Sequence, residues 1–221
     1  MVFAPSQISE LELDTTEGQL TQTVVLSNIS WQTYQAILAD MGDHRSTRLA
    51  YDQGVLVLKM PSTLHEIINR LLARIVTTLT EELNLEVVNI GSTTLDNEAL
   101  KKGAEPDTGF YIQNALQLEG LDPQISADLP PDLVIEVDIT SPSTQRMPIY
   151  QALKVPEVWR YTKHRGLVIY GLGSDDYEEL ATSQVFPNLS SAKLNEFLDW
   201  RKSQSENQVI RAVRRWIQAE G

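Results

Sequence analysis

The sequence predicts an α/β or α+β fold in which helices pack around one central β-sheet. Residues 63–84 carry apolar side chains at helical spacing, as an amphipathic helix does. Residues 132–139 alternate apolar and acidic side chains, which is the period of a β-strand. Short apolar segments separated by turn residues follow up to residue 180, and two helical segments come after them.

Length and composition favour one domain with extensions. The chain has 221 residues, of which 42 % are apolar, and this is enough for a hydrophobic core. It has no cysteine, which excludes disulfides, thiolate metal sites and a cysteine nucleophile. The three histidines lack the spacing of a zinc site. No apolar run approaches the roughly 18–20 residues of a membrane span, so we expect a soluble, cytoplasmic protein.

The net charge of −12 argues against a general nucleic-acid coat, because Lys and Arg provide nonspecific affinity for phosphates. It does not exclude a metal-dependent nuclease, whose acids are offset by a bound ion. The first twenty residues contain four acids and no base. We therefore interpret residues 1–28 as an acidic, loosely ordered arm and residues 29–221 as one domain.

The first predicted elements are a short helix and a hairpin. Ser30 is a typical N-cap for a helix that Gly42 ends. Residues 48–60 read as two strands joined by a turn at residues 52–54.

The helix at 63–84 is the strongest prediction. Thr63 and Glu66 fit a capping box at its start, and we interpret His65 as a surface or packing residue. Strands are then expected at residues 85–90 and 105–112.

The C-terminal half is predicted to alternate strands and helices around the acidic strand. The expected order is a loop at 114–129, the strand at 132–139, a turn leading into a helix to residue 152, strands at 158–161, 167–172 and 177–180, and helices at 191–203 and 206–218.

The acidic strand has two possible explanations, solvent exposure and a metal site. Asp132, Glu136 and Asp138 share one of its faces, and Asp107 lies on another predicted strand. Two neighbouring strands that each present a carboxylate would form an oxygen-rich site for Mg²⁺ or Mn²⁺. Such an ion activates water for phosphodiester hydrolysis. The sequence contains no GxSxG motif and no phosphate-binding loop.

Three segments together resemble a known family. They are Glu105-Pro-Asp107 with Phe110-Tyr-Ile112, Pro130-Pro-Asp-Leu-Val-Ile-Glu136-Val-Asp-Ile-Thr140-Ser-Pro-Ser, and Ile149-Tyr150 followed by Val155-Pro-Glu-Val-Trp159-Arg-Tyr161. The order and spacing resemble the Uma-two family of restriction-endonuclease-like proteins, within the PD-(D/E)xK nuclease superfamily. The resemblance covers about residues 22–200 and implies a restriction-endonuclease-like core with a central mixed sheet flanked by helices.

The resemblance also implies roles for particular residues. Asp107 and Glu136 match the two metal-binding acids, and Glu66 matches an additional acid on the N-terminal helix. The superfamily pattern has Lys where this chain has Asp138. The resemblance moves the basic role to Arg146, four residues before a tyrosine. Arginine keeps the positive charge and can bind phosphate, but it cannot transfer a proton.

Each of these residues also has a structural interpretation. Glu66 could cap its own helix, and Asp138 could cap the turn that follows its strand. Arg146 could form a structural ion pair with Glu136 or Asp138. Asp132 is expected to shape the turn before its strand.

The functional hypothesis is a nuclease that depends on Mg²⁺ or Mn²⁺ and acts on DNA. Asp107 and Glu136 would hold the metal, Asp138 or Glu66 would assist, and Arg146 would stabilise developing charge. Two alternatives are a catalytically inactive nuclease fold used for interaction or regulation, and hydrolysis of a smaller phosphate ester. A homodimer is also expected, because many proteins of this fold dimerise.

Overall fold

The protein has a mixed α+β architecture, seen in a computed structural model that describes residues 22–42, 47–118, 120, 123, 125–126, 128–139 and 145–220. Within these residues it contains five α-helices and two β-sheets, which confirms the predicted class. One sheet is the predicted central mixed sheet. The other was not predicted, and this corrects the expectation of one sheet.

The helices and strands have the following bounds. The helices are α1 Trp31–Met41, α2 Thr63–Glu82, α3 Met147–Ala152, α4 Ser191–Trp200 and α5 Glu206–Glu220. The strands are β1 Gln22–Leu26, β2 Arg48–Asp52, β3 Val55–Met60, β4 Val88–Gly91, β5 Leu95–Asn97, β6 Lys102–Ala104, β7 Thr108–Tyr111, β8 Leu133–Asp138, β9 Glu157–Thr162, β10 Gly166–Leu172 and β11 Tyr177–Leu180.

The central sheet has six strands in the order β11-β10-β9-β8-β7-β4. The acidic strand β8 lies inside it, antiparallel to β7 and parallel to β9. A parallel pair needs a crossover connection, and α3 lies on the chain between β8 and β9. The order therefore places the strand that follows Asp107 directly beside the strand that carries Glu136.

The second sheet has the order β1-β3-β2-β6-β5, and all its pairs are antiparallel. Its hairpin β2–β3 was predicted, and positive φ angles of 44° at Gln53 and 105° at Gly54 fit its tight turn. The strands β5 and β6 were not predicted, since each has only three residues. Strand β1 lies inside the range 1–28, so the interpretation of that range as an arm is wrong for residues 22–26. Residues 1–21 lie outside the described part.

Side-chain caps fix where two helices begin. Ser30 caps α1 as predicted, and its Oγ accepts a hydrogen bond from Thr33 N at 3.0 Å. Helix α2 has Ser62 as its N-cap, one residue earlier than predicted. Glu66 therefore does not have the N3 position that the capping-box interpretation requires.

The core has apolar layers on both faces of the central sheet. One layer packs β8 against α2, α4 and α5, and burying each large aliphatic side chain there contributes about 1.5–3 kcal/mol. The other layer joins the opposite face of β8 to α3 and the second sheet. A third cluster packs α1 on the second sheet. Strand β8 is therefore buried on both faces.

The C-terminal helix α5 is held on α2 by charges as well as by apolar contacts. Arg214 pairs with Glu81 at 2.7 Å and with Glu82 at 2.6 Å, and Arg74 pairs with Glu206 at 2.7 Å.

In the described part of the chain, no helix has the length and apolar character that a membrane crossing requires. That residues 29–221 form one domain stays a prediction.

Candidate active site

Acidic side chains of β8 and of the chain just before β7 converge inside the protein. Glu136 is 0 % exposed, Asp138 is 5 % exposed and Asp107 is 2 % exposed. Exposure to solvent, one of the two explanations for the acidic strand, is therefore wrong for β8. We call these three residues the acidic centre.

Asp107 is fixed by donors from two other elements. Its Oδ2 accepts a hydrogen bond from Val137 N at 2.7 Å and lies 2.7 Å from His65 Nε2. Asn69 on α2 donates to the main-chain oxygen of Asp107 at 3.1 Å. The second carboxylate oxygen, Oδ1, is buried and has no hydrogen-bond partner among the described residues. An acceptor without a partner in such a position is costly unless something binds it.

Glu136 is held by Arg146, the residue just before α3, and by Tyr150 within that helix. Nη1 of Arg146 donates to both carboxylate oxygens of Glu136 at 3.0 Å, and the Tyr150 hydroxyl donates to Oε1. The same Nη1 lies 3.2 Å from the main-chain oxygen of Glu105. Arg146 and Tyr150 are four residues apart and therefore lie on one face of the helix.

The second sheet contributes a lysine to the same centre. Lys59 on β3 is 4 % exposed, and its Nζ donates to Val137 O at 3.0 Å. Its ammonium lies 3.7 Å from Asp107 Oδ2 and 3.6 Å from Asp138 Oδ1. The other oxygen of Asp138 accepts a hydrogen bond from Arg160 Nε at 2.7 Å. Three acids thus face three permanent cations.

These contacts shift the ionisation of Asp107 and His65. Burial alone would raise the pKa of Asp107, but Lys59 and His65 outweigh it and hold that pKa well below its usual range. Burial acts to lower the pKa of His65, yet the carboxylates of Asp107 and Glu66 raise it above its ordinary value. Both shifts favour an ionised Asp107 that accepts a hydrogen bond from a protonated His65.

The ionisation of the Glu136 cluster is dominated by burial. Burial raises the pKa of Glu136, and Arg146 acts in the opposite direction. The pKa of Tyr150 lies well above its ordinary value because of burial and of the charge on Glu136. Tyr150 therefore stays a neutral phenol at physiological pH and serves as a donor to Glu136.

Glu66 lies beside the acidic centre rather than in it. Its Oε1 is 3.6 Å from His65 Nδ1, and its Oε2 is 3.8 Å from Arg70. The side chain is 34 % exposed. The neighbouring His65 lowers the pKa of Glu66. Glu66 thus reaches Asp107 only through His65.

The structure brings together Asp107, Glu136, Asp138 and Arg146, and it separates Asp132 from them. Asp132 Oδ2 accepts hydrogen bonds from the main-chain nitrogens of Ile112 and Asn114, at 2.6 and 3.0 Å. Arg146 pairs with Glu136, which was one of the two partners considered for it. The turn that Asp138 was expected to cap falls at residues 140–143, outside the described residues.

Sequence reasoning missed three members of the site. Lys59 stands alone in the apolar strand β3, and such an isolated charge is the signal that could have identified it. His65 was interpreted as a surface or packing residue, but its ring is buried and bonded to Asp107. Arg160 was not identified from the sequence, because only the parallel register of β8 and β9 places it beside Glu136.

The donor set of the centre suits a hard cation. The Lys59 ammonium is itself a cation surrounded by oxygen atoms from Asp107, Val137 and Asp138. Oxygen-only surroundings are what Mg²⁺ and Mn²⁺ prefer. The described residues contain no group of three or more His, Asp or Glu side chains already arranged as metal ligands. A divalent ion held by Asp107 and Glu136 would take its remaining oxygen ligands from water or substrate.

A polar cleft of about 360 Å³ borders the centre. It is lined by Thr47, Arg48, Ile90, Ser92, Thr93, Thr94 and Glu105. Glu105 connects the cleft to the centre, because its main-chain oxygen accepts from Arg146. Arg48 lies opposite Lys59 in the register of β2 and β3. Its charge also lowers the pKa of Glu66, although His65 lowers that pKa more.

The mixed sheet, with Glu136 on β8 and Asp107 just before the adjacent strand β7, is the arrangement expected of a restriction-endonuclease-like fold. The model of the Uma2 family, described as "Putative restriction endonuclease", matches residues 31–203, and the chain belongs to this family. The chain is also similar to the crystal structure of "a putative nuclease belonging to DUF820" from Anabaena variabilis ATCC 29413. That similarity has a TM-score of 0.56 at 14 % identity and covers 76 % of this chain and 98 % of the other. A comparison with curated proteins found no match.

Proposed function

We propose that this protein is a nuclease that hydrolyses phosphodiester bonds in DNA with Mg²⁺ or Mn²⁺. The observation that carries the proposal is the convergence of Asp107 and Glu136 from adjacent strands into one buried centre. Family membership supports the nuclease class.

Asp107 and Glu136 would hold the metal ion. Asp107 Oδ1 has no protein partner among the described residues, and Glu136 Oε2 accepts one hydrogen bond there, so both retain lone pairs. A bound Mg²⁺ or Mn²⁺ supplies charge stabilisation and lowers the pKa of its water. His65 orients Asp107, and Arg146 with Tyr150 orients Glu136.

The cleft beside the centre supports a polyanionic substrate. Arg48 and the hydroxyls of Ser92 and Thr93 line it, and such groups bind phosphate oxygens. Because the net charge is −12 and Glu105 also lines the cleft, Arg48 would have to provide the local attraction that lets a nucleic acid approach. The cytoplasmic location and the homodimer stay predictions.

The test is cleavage of plasmid and oligonucleotide DNA with Mg²⁺, with Mn²⁺ and with EDTA. We expect cleavage only with metal, and a loss of about 100-fold or more in Asp107→Asn. Asp132→Asn is the matched control, since it changes a buried acid that lies outside the acidic centre, and it should cleave like wild type.

A second variant tests Glu136 without leaving a buried charge alone. Glu136→Ala/Arg146→Met removes the ion pair as a unit, so the protein should remain folded by circular dichroism while cleavage is lost. Unchanged cleavage by this folded variant would contradict the proposal.

One observation favours a non-catalytic alternative. The three acids are balanced by Lys59, Arg146 and Arg160, so the centre has no excess negative charge to attract a divalent ion. A nuclease fold used for interaction would show no cleavage of DNA or of a model phosphodiester with any metal. Turnover of the model phosphodiester without DNA binding would instead indicate hydrolysis of a smaller phosphate ester.

A further inference from the structure

Lys59 is the most unusual buried charge in the described residues. It belongs to the second sheet, yet its ammonium crosses to the central sheet and bonds Val137 O at 3.0 Å. Taking an ammonium out of water is costly, so the position requires compensating contacts. Asp107 and Asp138 provide that compensation at 3.7 and 3.6 Å.

The contacts leave donor capacity on the ammonium. An ammonium has three N–H donors, and only the bond to Val137 O is within hydrogen-bond distance. The two carboxylates attract the charge from beyond that distance. A phosphate oxygen entering the centre could therefore accept a hydrogen bond from Lys59 without breaking an existing one.

Arg146 is less free to move toward a substrate. Its Nη1 is shared among both oxygens of Glu136 and the main-chain oxygen of Glu105, which fixes the guanidinium in place, although its Nη2 has no hydrogen-bond partner among the described residues. Arg160 is likewise engaged, through a 2.7 Å hydrogen bond to Asp138. Among the three cations of the centre, Lys59 has the longest carboxylate contacts and a flexible stem.

We propose that Lys59 is a catalytic residue whose ammonium contacts the phosphate undergoing hydrolysis and stabilises the negative charge that develops on it. This inference rests on the proposed function. Water oxygen bonds to phosphorus while the bond from phosphorus to the leaving oxygen breaks. One water proton ends on the leaving oxygen and the other stays with the new phosphate group, while Lys59 remains an ammonium throughout.

This proposal gives Asp138 a role as well. Asp138 stands directly opposite Lys59, so the acid on β8 and the lysine on β3 form one pair across the two sheets. Moving the ammonium back to position 138 should therefore be possible. Lys59→Met/Asp138→Lys places a lysine on β8 and removes the one on β3, so the centre keeps three cations and loses one of its three acids.

The test is steady-state cleavage of the DNA substrate, with kcat and KM measured separately. Lys59→Met should lower kcat by about 100- to 1,000-fold, with KM changed less than fivefold. The kcat of Lys59→Met/Asp138→Lys should be at least tenfold higher than the kcat of Lys59→Met. Lys102→Met is the matched control, because it removes an ion pair of 2.6 Å to Asp52 on the same sheet away from the centre. It should leave kcat unchanged.

Several outcomes would overturn the proposal. A folded Lys59→Met with kcat within threefold of wild type overturns it and leaves the proposed function standing. Should Lys59→Met fail to fold, the double variant decides: kcat within about tenfold of wild type supports the proposal, and a folded but inactive protein overturns it. A wild type that cleaves nothing overturns the proposed function, and this inference with it.

Discussion

Two sets of buried acids lie on neighbouring strands of the central sheet, and they differ in what surrounds them. Asp132 and Glu157, which we call the anchor acids, are 4 % and 0 % exposed. The acidic centre, formed by Asp107, Glu136 and Asp138, is equally buried. Depth of burial therefore does not distinguish them.

The partners do distinguish them. Glu157 accepts from Trp159 Nε1 and Ser183 Oγ at 2.6 Å and from the main-chain nitrogen of Gln184 at 2.5 Å. Asp132 accepts hydrogen bonds from the main-chain nitrogens of Ile112 and Asn114 and from the side-chain amide of Asn114. These donors are neutral, and three of the six are main-chain nitrogens.

The acidic centre is instead compensated by cations from distant elements. Lys59, His65 and Arg146 come from β3, α2 and the start of α3. Neutral donors fix the conformation of a loop, whereas convergent cations make a site whose charge can respond to a ligand. This difference is what separates a structural acid from a candidate catalytic acid here.

The largest effect on stability should come from breaking the charge pair of the centre. Arg146→Met leaves Glu136 buried without a cation, and we expect a loss of about 3–5 kcal/mol in the free energy of unfolding. Glu136→Gln/Arg146→Met should recover most of it, because neither charge then remains. Urea unfolding checks both values, and a single variant within about 1 kcal/mol of wild type would contradict this account of the pair.

A smaller loss is expected at the anchor acids. Glu157→Gln replaces one acceptor oxygen by an amide group that faces existing donors. Each buried group left unsatisfied costs about 1–3 kcal/mol, so we expect a loss of about 2–3 kcal/mol. Cleavage per folded molecule should stay at the wild-type rate. A large drop in that rate would show that the two sets of acids are not separate in function.

The smallest effect is a pH dependence at His65. The raised pKa of His65 means that its stabilising contribution is full below about pH 6.5 and is lost as the pH rises through the folded-state value. The lowered pKa of Asp107 gives a stabilising contribution that is constant above about pH 4 and is lost only in acid. The stability difference between wild type and His65→Asn should therefore shrink from pH 6 to pH 9.

Urea unfolding in EDTA, at several pH values, checks this difference. EDTA keeps metal binding from contributing to the result. A difference that stays flat, or that grows as the pH rises, is incompatible with a protonated His65 paired to Asp107.

Much of the fold could be predicted because local patterns determine it. The apolar stripe of α2, the Ser30 cap and the alternation of β8 each reflect burial or capping within one segment. The second sheet could not be predicted in the same way. The strands β5 and β6 have three residues each, too few to display a period, and they form only by pairing with β2 and with each other.

The candidate site was predictable in its acids and less so in its bases. Asp107 and Glu136 belong to sequence patterns, and their strands turned out to be adjacent. Lys59 and Arg160 join the centre through contacts between residues 78 and 22 positions apart in the chain. No local pattern encodes such contacts, because they depend on how the two sheets and the parallel strands are packed.

A crystal structure of the protein grown with Mn²⁺ tests the central claim most directly. The account predicts an anomalous peak bonded to Asp107 and Glu136. The Asp107→Asn variant, grown in the same way, should lose the peak. A wild-type structure with no peak at the acidic centre would contradict the claim that this centre binds the catalytic metal.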